Sequence, residues 1–176
     1  MKVPVSPCVV DTNVPITANQ AQSQACRLSC IEALEEIIES GHLVIDDKFR
    51  ILKEYMNKLS PKGQPGVGDA FLKWVLTNQV NPDRCTSVRI TPRPADPRDF
   101  EEFPTDVELS EFDPSDRKFV AVSCVHPVRP PILQAADSKW WGLNAAFKRC
   151  GVTVHFLCPE DIEAVHARKQ KSKKKK

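Results

Sequence analysis

Residues 8–20 read CVVDTNVPITANQ, in which an apolar segment runs directly into an aspartate, a threonine and an asparagine. The apolar residues up to position 10 predict a short strand over 5–10, because continuous apolar runs are typical of strands buried on both faces. Such a strand presents Asp11, Thr12 and Asn13 together at its carboxyl end. The rest of the chain decides whether other carboxylates reach the same place.

Strand-like and helix-like segments alternate along most of the chain. Further strands are predicted at 42–45, 130–137 and 152–158, with a less regular candidate at 85–90. Helices are predicted at 22–40, 47–59, 69–80, 113–125 and 138–150, and from residue 159 onward. This alternation predicts an α/β fold of three layers, α/β/α, with a central, mainly parallel sheet.

The segment 91–113 interrupts the alternation. It reads TPRPADPRDFEEFPTDVELSEFD and is rich in proline and acidic residues. We expect a long surface loop with room for one helical turn. Ordered loops of this length usually carry function, so the segment either covers a site or is a tolerated insertion.

Length and composition fit one domain over residues 1–166. Of the 176 residues, 41% are hydrophobic and 27% charged, as in ordinary globular proteins. The apolar run FVAVSCV (119–125) is far shorter than the roughly 20 residues of a membrane helix, and the first residues do not resemble a signal peptide. We therefore expect a cytoplasmic protein without a membrane partner.

The cysteines and the basic end of the chain support two further expectations. The seven cysteines are odd in number and mostly have apolar neighbours, which favours reduced, buried thiols over a disulfide framework. Cys26 and Cys30 lie one helical turn apart, but no second ligand pair has matching spacing, which argues against zinc. Residues 168–176 carry seven positive charges, which leaves 18 basic and 23 acidic residues, a net charge of −5, in residues 1–167. The 167–176 tail is predicted to be disordered; it either contacts phosphates or only aids solubility.

Four carboxylates can meet at one edge of the predicted sheet. Asp11 and Asp137 each follow a strand, and ligands of open parallel sheets bind at the carboxyl ends of the strands. Glu54 lies in the helix after the second strand, and Asp116 lies at the start of the helix after the long loop. Such acids raise each other's pKa unless a cation joins them, and Mg²⁺ or Mn²⁺ with oxygen ligands is suitable.

The motifs that carry these acids resemble the PIN-domain nuclease family over residues 5–160. VVDTNV is similar to the first family motif, ILKEYMNKL to the second and DRKFVAVS to the third. ILQAADSKWW, followed by GVTVHFLCPEDI, is similar to the fourth motif and the closing strand. A DTN motif alone is weak evidence for the family. The resemblance therefore depends on all four motifs, which occur in the expected order.

The resemblance implies a metal-dependent endoribonuclease that hydrolyses phosphodiester bonds with one or two Mg or Mn ions. Its implied catalytic and metal-binding residues are Asp11, Glu54, Asp116 and Asp137, of which Asp11 and Asp116 are the expected direct ligands. Thr12, Asn13 and Ser138 are expected to orient ligands and water. RNA is the favoured substrate over other nucleic acids because the resemblance implies it.

One departure from the family pattern concerns the second metal. Many members carry an acid two residues after the fourth-motif aspartate, where this chain has Lys139. Asp113 is an alternative ligand, although a helix cap is the favoured role for it. Nucleic-acid contacts are assigned to Lys139, Trp140, Lys173 and Lys174, with a core position as the alternative for the tryptophan.

Two other functions remain open at this stage. The first is a non-catalytic PIN-like module that binds RNA or protein through a degenerate site. The second is an interaction protein whose segment 95–116, with nine acids and a single arginine, docks a basic partner or folds over the cleft. An inhibitory or scaffold partner and a homodimer also stay open.

Overall fold

Five short parallel strands form the centre of the computed structural model, which describes residues 7–20 and 23–173. The strands are β1 (Val9–Val10), β2 (Leu43–Asp46), β3 (Cys85–Val88), β4 (Ile132–Gln134) and β5 (Val154–Phe156). The helices are α1 (Asn13–Asn19), α2 (Gln24–Ser40), α3 (Arg50–Lys58), α4 (Val67–Asn78), α5 (Arg117–Val125), α6 (Ser138–Gly142), α7 (Asn144–Arg149) and α8 (Pro159–Lys173). The predicted α/β class with a parallel sheet and surrounding helices is confirmed.

The strand order places β1 at the centre. Strands β1, β4 and β5 form one parallel sheet in that order, and β2 pairs with β3 in parallel. Cys8, directly before β1, joins the two parts: its N–H donates to the His42 carbonyl at 2.9 Å, and its carbonyl accepts from the Val44 N–H at 2.8 Å. The overall order is therefore β3-β2-β1-β4-β5. Strands β2 and β3 are added on one side of β1, and β4 and β5 on the other. This reversal of the strand order creates a crevice between β1 and β4 at the carboxyl ends of the strands.

Both flanks of the sheet are covered by helices, which explains the continuous apolar strands. Every residue of β1 and β2 is buried. Helices α1, α2 and α4 pack against one another, while α5 packs against β1, β2 and β4. The fully buried Asp46 accepts from the backbone N–H groups of Arg50 and Ile51, at the start of α3, at 3.0 and 2.9 Å.

The segment 91–113 is a surface loop with one helical turn, as predicted, and its apolar side chains anchor it in the core. Its apolar residues, Phe100, Phe103, Leu109 and Phe112, are buried, and its helical turn covers Val107–Leu109. Several of its acids are paired within the chain: Asp99 with Arg93 and Arg117, and Asp106 and Glu108 with Arg149. The segment is anchored by buried phenylalanines, which its proline-rich and acidic composition gave no reason to expect in the core.

Other boundaries also differ from the prediction. Helix α1 is absent from the predicted elements, and the single helix expected at 138–150 is divided at Leu143 into α6 and α7. The tail predicted to be disordered from residue 167 is helical through Lys173, because lysine has a good helix propensity and continues a helix already begun at Pro159. Residues 174–176, including Lys174, lie outside the described residues.

The expectation that all cysteines are reduced is wrong for one pair. Cys26, at the start of α2, forms a disulfide with Cys158, which directly precedes α8. The two residues are 132 positions apart in the sequence, so only the packing of α2 against the end of β5 brings them together. The odd number of cysteines gave no indication of this pairing.

No helix within 7–20 and 23–173 combines the length and the apolar character needed to cross a bilayer. The cytoplasmic location, the protein partner and the homodimer stay predictions.

Replacing Phe112 by alanine is expected to destabilise the fold by about 3–5 kcal/mol, the range for truncating a buried aromatic residue. Its ring lies 4.9 Å from that of Trp140 and 5.2 Å from that of Phe147, both edge to face. Denaturant unfolding measures the change. Val107→Ala, in the same segment but 86% exposed, is the matched control and should cost less than about 0.5 kcal/mol. Equal, small effects of the two variants would show that the segment is not anchored.

Candidate active site

Asp11 lies at the junction between β1 and α1, in the crevice beside β4. Its backbone N–H donates to the Leu133 carbonyl at 3.0 Å, so the β1–β4 pairing continues to this residue. The Asn13 N–H, in the first turn of α1, donates to Asp11 Oδ1 at 2.9 Å. The side chain is almost completely buried, with 2% exposed. The strand and the following helix therefore fix this carboxylate in position.

The surroundings of Asp11 disfavour its ionised form. The pKa of Asp11 is raised from 3.8 to about 8, mainly by burial and then by the nearby carboxylates of Asp116, Glu54 and Asp137. The hydrogen bond from the Asn13 N–H acts in the opposite direction but is outweighed. Three acids from distant parts of the sequence thus contribute to the potential at Asp11.

Asp116 precedes α5 and faces the same crevice. It occupies the N-cap position, yet its carboxylate makes no capping hydrogen bond to the helix. The backbone N–H groups of α5 therefore do not occupy its oxygens. The pKa of Asp116 is raised to about 6, mainly by burial. The positive charge of Lys118 opposes this shift, and the carboxylates of Asp113, Glu54 and Asp137 add to it. Among the other three predicted acids, Asp116 has the largest effect on the pKa of Asp11.

Glu54, on α3, is held by two side chains of the crevice. The Thr12 hydroxyl donates to Glu54 Oε1 at 2.6 Å, and Lys118 Nζ lies 2.5 Å from Glu54 Oε2. Lys118 is only 8% exposed and also donates to the Ser115 carbonyl. An ammonium group therefore already balances one of the four acids.

Asp137 closes the other side of the crevice. Its carboxylate accepts from the Lys139 N–H at 2.8 Å and caps α6. The neighbouring Ser138 hydroxyl accepts from Lys169 Nζ, on α8, at 2.8 Å. Asp137 remains partly exposed, so one side of it faces solvent.

The four carboxylates converge but do not close into a compact ligand set. Among the described residues, the only group of three or more potential ligand atoms within 4.8 Å of one another is formed by cysteines elsewhere in the fold. Glu54 and Asp137 are engaged by the contacts described above. Asp11 and Asp116 form no ion pair within the described chain, so these two suit a hard cation such as Mg²⁺ or Mn²⁺, which prefers oxygen ligands.

Two cavities flank the carboxylates. The first, of about 310 Å³, adjoins Glu54 and carries the cationic side chains of Arg50, Lys53, Arg98 and Lys118. The second, of about 270 Å³, is lined by Asn13, Asp137, Ser138 and Lys169, together with Thr17, Ala136 and Val165. Basic side chains therefore lie on both sides of the carboxylates.

The structure corrects the assignment of Trp140 as a nucleic-acid contact and shows where Lys139 and Lys173 lie. Trp140 is fully buried between Phe112 and Phe147, so its ring cannot stack on a base; the core alternative applies. Lys139 is exposed and its Nζ lies 3.6 Å from Asp113 Oδ2. Asp113 accepts from the Ser115 N–H and hydroxyl at 3.0 and 2.8 Å, a turn-capping role. Lys173 is exposed on α8.

Sequence reasoning missed three residues of this region. Lys118 follows Asp116 by two positions within an apolar stretch, and a lysine in such a place is a signal that could have been noticed. Tyr55, next to Glu54, is buried and its hydroxyl donates to the Val10 carbonyl beneath the site. Lys169 reaches Ser138 from the segment that was expected to be disordered.

Comparison with known proteins identifies no relative. No protein-family model matches the chain, and neither the curated proteins nor the solved structures contain a significant match.

Asp11→Asn is expected to stabilise the metal-free protein by roughly 2 kcal/mol at pH 7, less than the full equivalence of about 1.4 kcal/mol per pKa unit. Below about pH 4 the carboxyl is neutral in both the folded and the unfolded chain, so wild type and variant should be equal. Between pH 4 and 8 only the unfolded chain ionises, because the folded pKa is raised to about 8. The advantage of the variant therefore grows over this window.

Denaturant unfolding at pH 4 and pH 7, in the presence of a chelator, measures this difference. Glu163→Gln, an exposed acid on α8, is the control and should change the free energy of unfolding by less than about 0.5 kcal/mol. A destabilised Asp11→Asn variant with the same deficit at both pH values would contradict the electrostatic account.

Proposed function

We propose that this protein is a metal-dependent phosphodiesterase of the PIN-domain type, an endoribonuclease that uses Mg²⁺ or Mn²⁺. The observation that carries the proposal is the convergence of Asp11, Glu54, Asp116 and Asp137 on the crevice between β1 and β4. These acids come from four separate parts of the sequence. Bringing four carboxylates together, with Asp11 buried, has an energetic cost that a structural role alone leaves unexplained.

The roles of the acids follow from their contacts. Asp11 and Asp116, which have no internal counterion in the described chain, hold the cation. Glu54 completes the shell from a position fixed by the Thr12 hydroxyl and the Lys118 ammonium group. A bound Mg²⁺ or Mn²⁺ lowers the pKa of a coordinated water and stabilises charge that develops on a phosphoryl group. Asp137 orients water at the partly exposed side, since its carboxylate already faces solvent there.

The flanking cavities support a polyanionic substrate. The first provides Lys53 and Arg98 beside Glu54, and the second provides Lys169 beside Asp137. Basic side chains on both sides of the carboxylates fit a phosphate backbone that passes through the crevice. The choice of RNA rests on the resemblance of the four motifs to the PIN-domain family.

The Lys118–Glu54 ion pair favours a second candidate function. An ammonium group 2.5 Å from Glu54 supplies a positive charge without any metal, and the carboxylates do not close into a compact ligand set. Both features agree with a non-catalytic PIN-like module that binds RNA or protein. This candidate predicts metal-independent binding and no cleavage.

Cleavage of an RNA that contains both stems and single-stranded regions tests the two candidates. Wild type is expected to cleave with Mn²⁺ or Mg²⁺ and to lose activity in EDTA. Asp116→Asn should lower the rate by at least about 100-fold, because metal-ion stabilisation contributes several kcal/mol and each 1.4 kcal/mol corresponds to a factor of ten. Product lengths on a gel distinguish internal cleavage from trimming.

Asp113→Asn is the matched control, since Asp113 precedes the same helix but its carboxylate contacts the Ser115 N–H and hydroxyl. Its rate should stay within about threefold of wild type, a change of less than 1 kcal/mol. RNA binding without cleavage in wild type would support the non-catalytic module. Cleavage that persists unchanged in Asp116→Asn would reject the carboxylate site.

A further inference from the structure

A cluster of three buried cysteines lies apart from the carboxylate site. Cys26 and Cys30 occupy consecutive turns of α2, and Cys158 faces both of them from the residue before α8. Their three sulfur atoms all lie within 4.8 Å of one another. The disulfide uses Cys26 and Cys158, so Cys30 is a buried thiol in contact distance of a disulfide that does not need it.

We propose that Cys26, Cys30 and Cys158 form a binding site for a soft divalent cation, Zn²⁺, when the disulfide is reduced. This inference is independent of the proposed nuclease function. Three thiolates are a recognised protein ligand set for zinc, with Zn–S bonds of about 2.3 Å and sulfur atoms about 3.8 Å apart in a tetrahedral site. The three sulfur atoms lie within 4.8 Å of one another, and reduction of the disulfide allows those of Cys26 and Cys158 to separate to the spacing of a tetrahedral site.

The local environment suits a metal better than three free thiols. All three side chains are buried, so little water reaches the three sulfur atoms. A bound divalent cation stabilises the thiolates and displaces their protons. Hard cations that prefer oxygen are disfavoured by an all-sulfur set.

An adjoining cavity provides access and a fourth ligand position. Its volume is about 270 Å³, and it is lined by Cys26 and Cys158 together with Ser29, Glu160 and Asp161. A zinc ion can enter from this side, and water or a carboxylate of the cavity completes four-coordination. A catalytic or exchangeable site keeps such an open position, whereas structural sites are closed.

The disulfide and the metal site are alternative states of the same sulfur atoms. Reduction adds two electrons and two protons and converts the disulfide to two thiols. A water-soluble phosphine supplies the electrons and is oxidised to the phosphine oxide, and one water molecule supplies the oxygen and the two protons. Zn²⁺ then replaces up to three thiol protons. Both states connect α2 to the start of α8, the helix that carries Lys169 to the second cavity of the candidate active site.

Zinc titration of the full chain, reduced with the phosphine under anaerobic conditions, tests the proposal. A chromophoric chelator competes for the metal, and Co²⁺ substitution reports thiolate ligation through its sulfur-to-metal charge-transfer absorption. We expect one thiolate-bound ion per chain. The oxidised chain should show no such absorption, because two of the sulfur atoms are in the disulfide.

Cys30→Ser should weaken binding by more than about 100-fold, since losing even a residue that only supports a ligand costs about 10- to 100-fold. Cys150→Ser, a half-buried free cysteine elsewhere, is the control and should bind like wild type. Circular dichroism establishes that each variant is folded, and Cys158→Ser serves as a second variant. Absence of the charge-transfer absorption in the reduced wild type, or equal absorption in folded Cys30→Ser, would overturn the proposal.

Discussion

The burial of the Asp11 carboxylate is the constraint on which the rest of the site depends. Asp11 follows the central strand of the sheet, with β2 on one side and β4 on the other, so its side chain has little access to water. The chain begins α1 immediately afterwards, and the Asn13 N–H compensates only part of the lost hydration. A residue at this place is therefore either neutral or stabilised by an external positive charge.

The four carboxylates of the site differ in whether another group of the chain already contacts them. Glu54 has an internal counterion in Lys118, and the capping contact holds Asp137 at the partly open side. Asp11 is buried and Asp116 is half-buried, and neither forms an ion pair within the described chain, which is the physical reason for assigning a metal to them. Lys118 has two effects here, since it neutralises Glu54 and also lowers the pKa of Asp116.

The parts that could be predicted from sequence are those encoded by short-range patterns. Apolar strands that end in Asp11 and Asp137, and the periodicity of α2 and α4, were sufficient to predict the parallel sheet and to place two acids at one edge. Two other features depend on tertiary packing, which local patterns do not encode. They are the aromatic cluster of Phe112 and Trp140, and the Cys26–Cys158 disulfide.

The tail illustrates a different reason for a wrong prediction. Residues 167–173 have almost nothing apolar to bury, and composition alone indicates disorder. Helix α8 begins at Pro159, however, and Ile162 is buried against the core, so the lysines extend a helix that is already formed. Lys169 then contacts Ser138. The basic segment, predicted to be disordered from its charge, thus lines the cavity beside Asp137.

The most direct test of the central claim is anomalous diffraction from crystals of the protein soaked in Mn²⁺. We expect a manganese peak in the crevice between β1 and β4, with an oxygen of Asp11 and one of Asp116 at about 2.0–2.2 Å, the distances of hard-cation coordination. A crevice without a peak at saturating Mn²⁺, with the Lys118 ammonium group as its only cation, would contradict it.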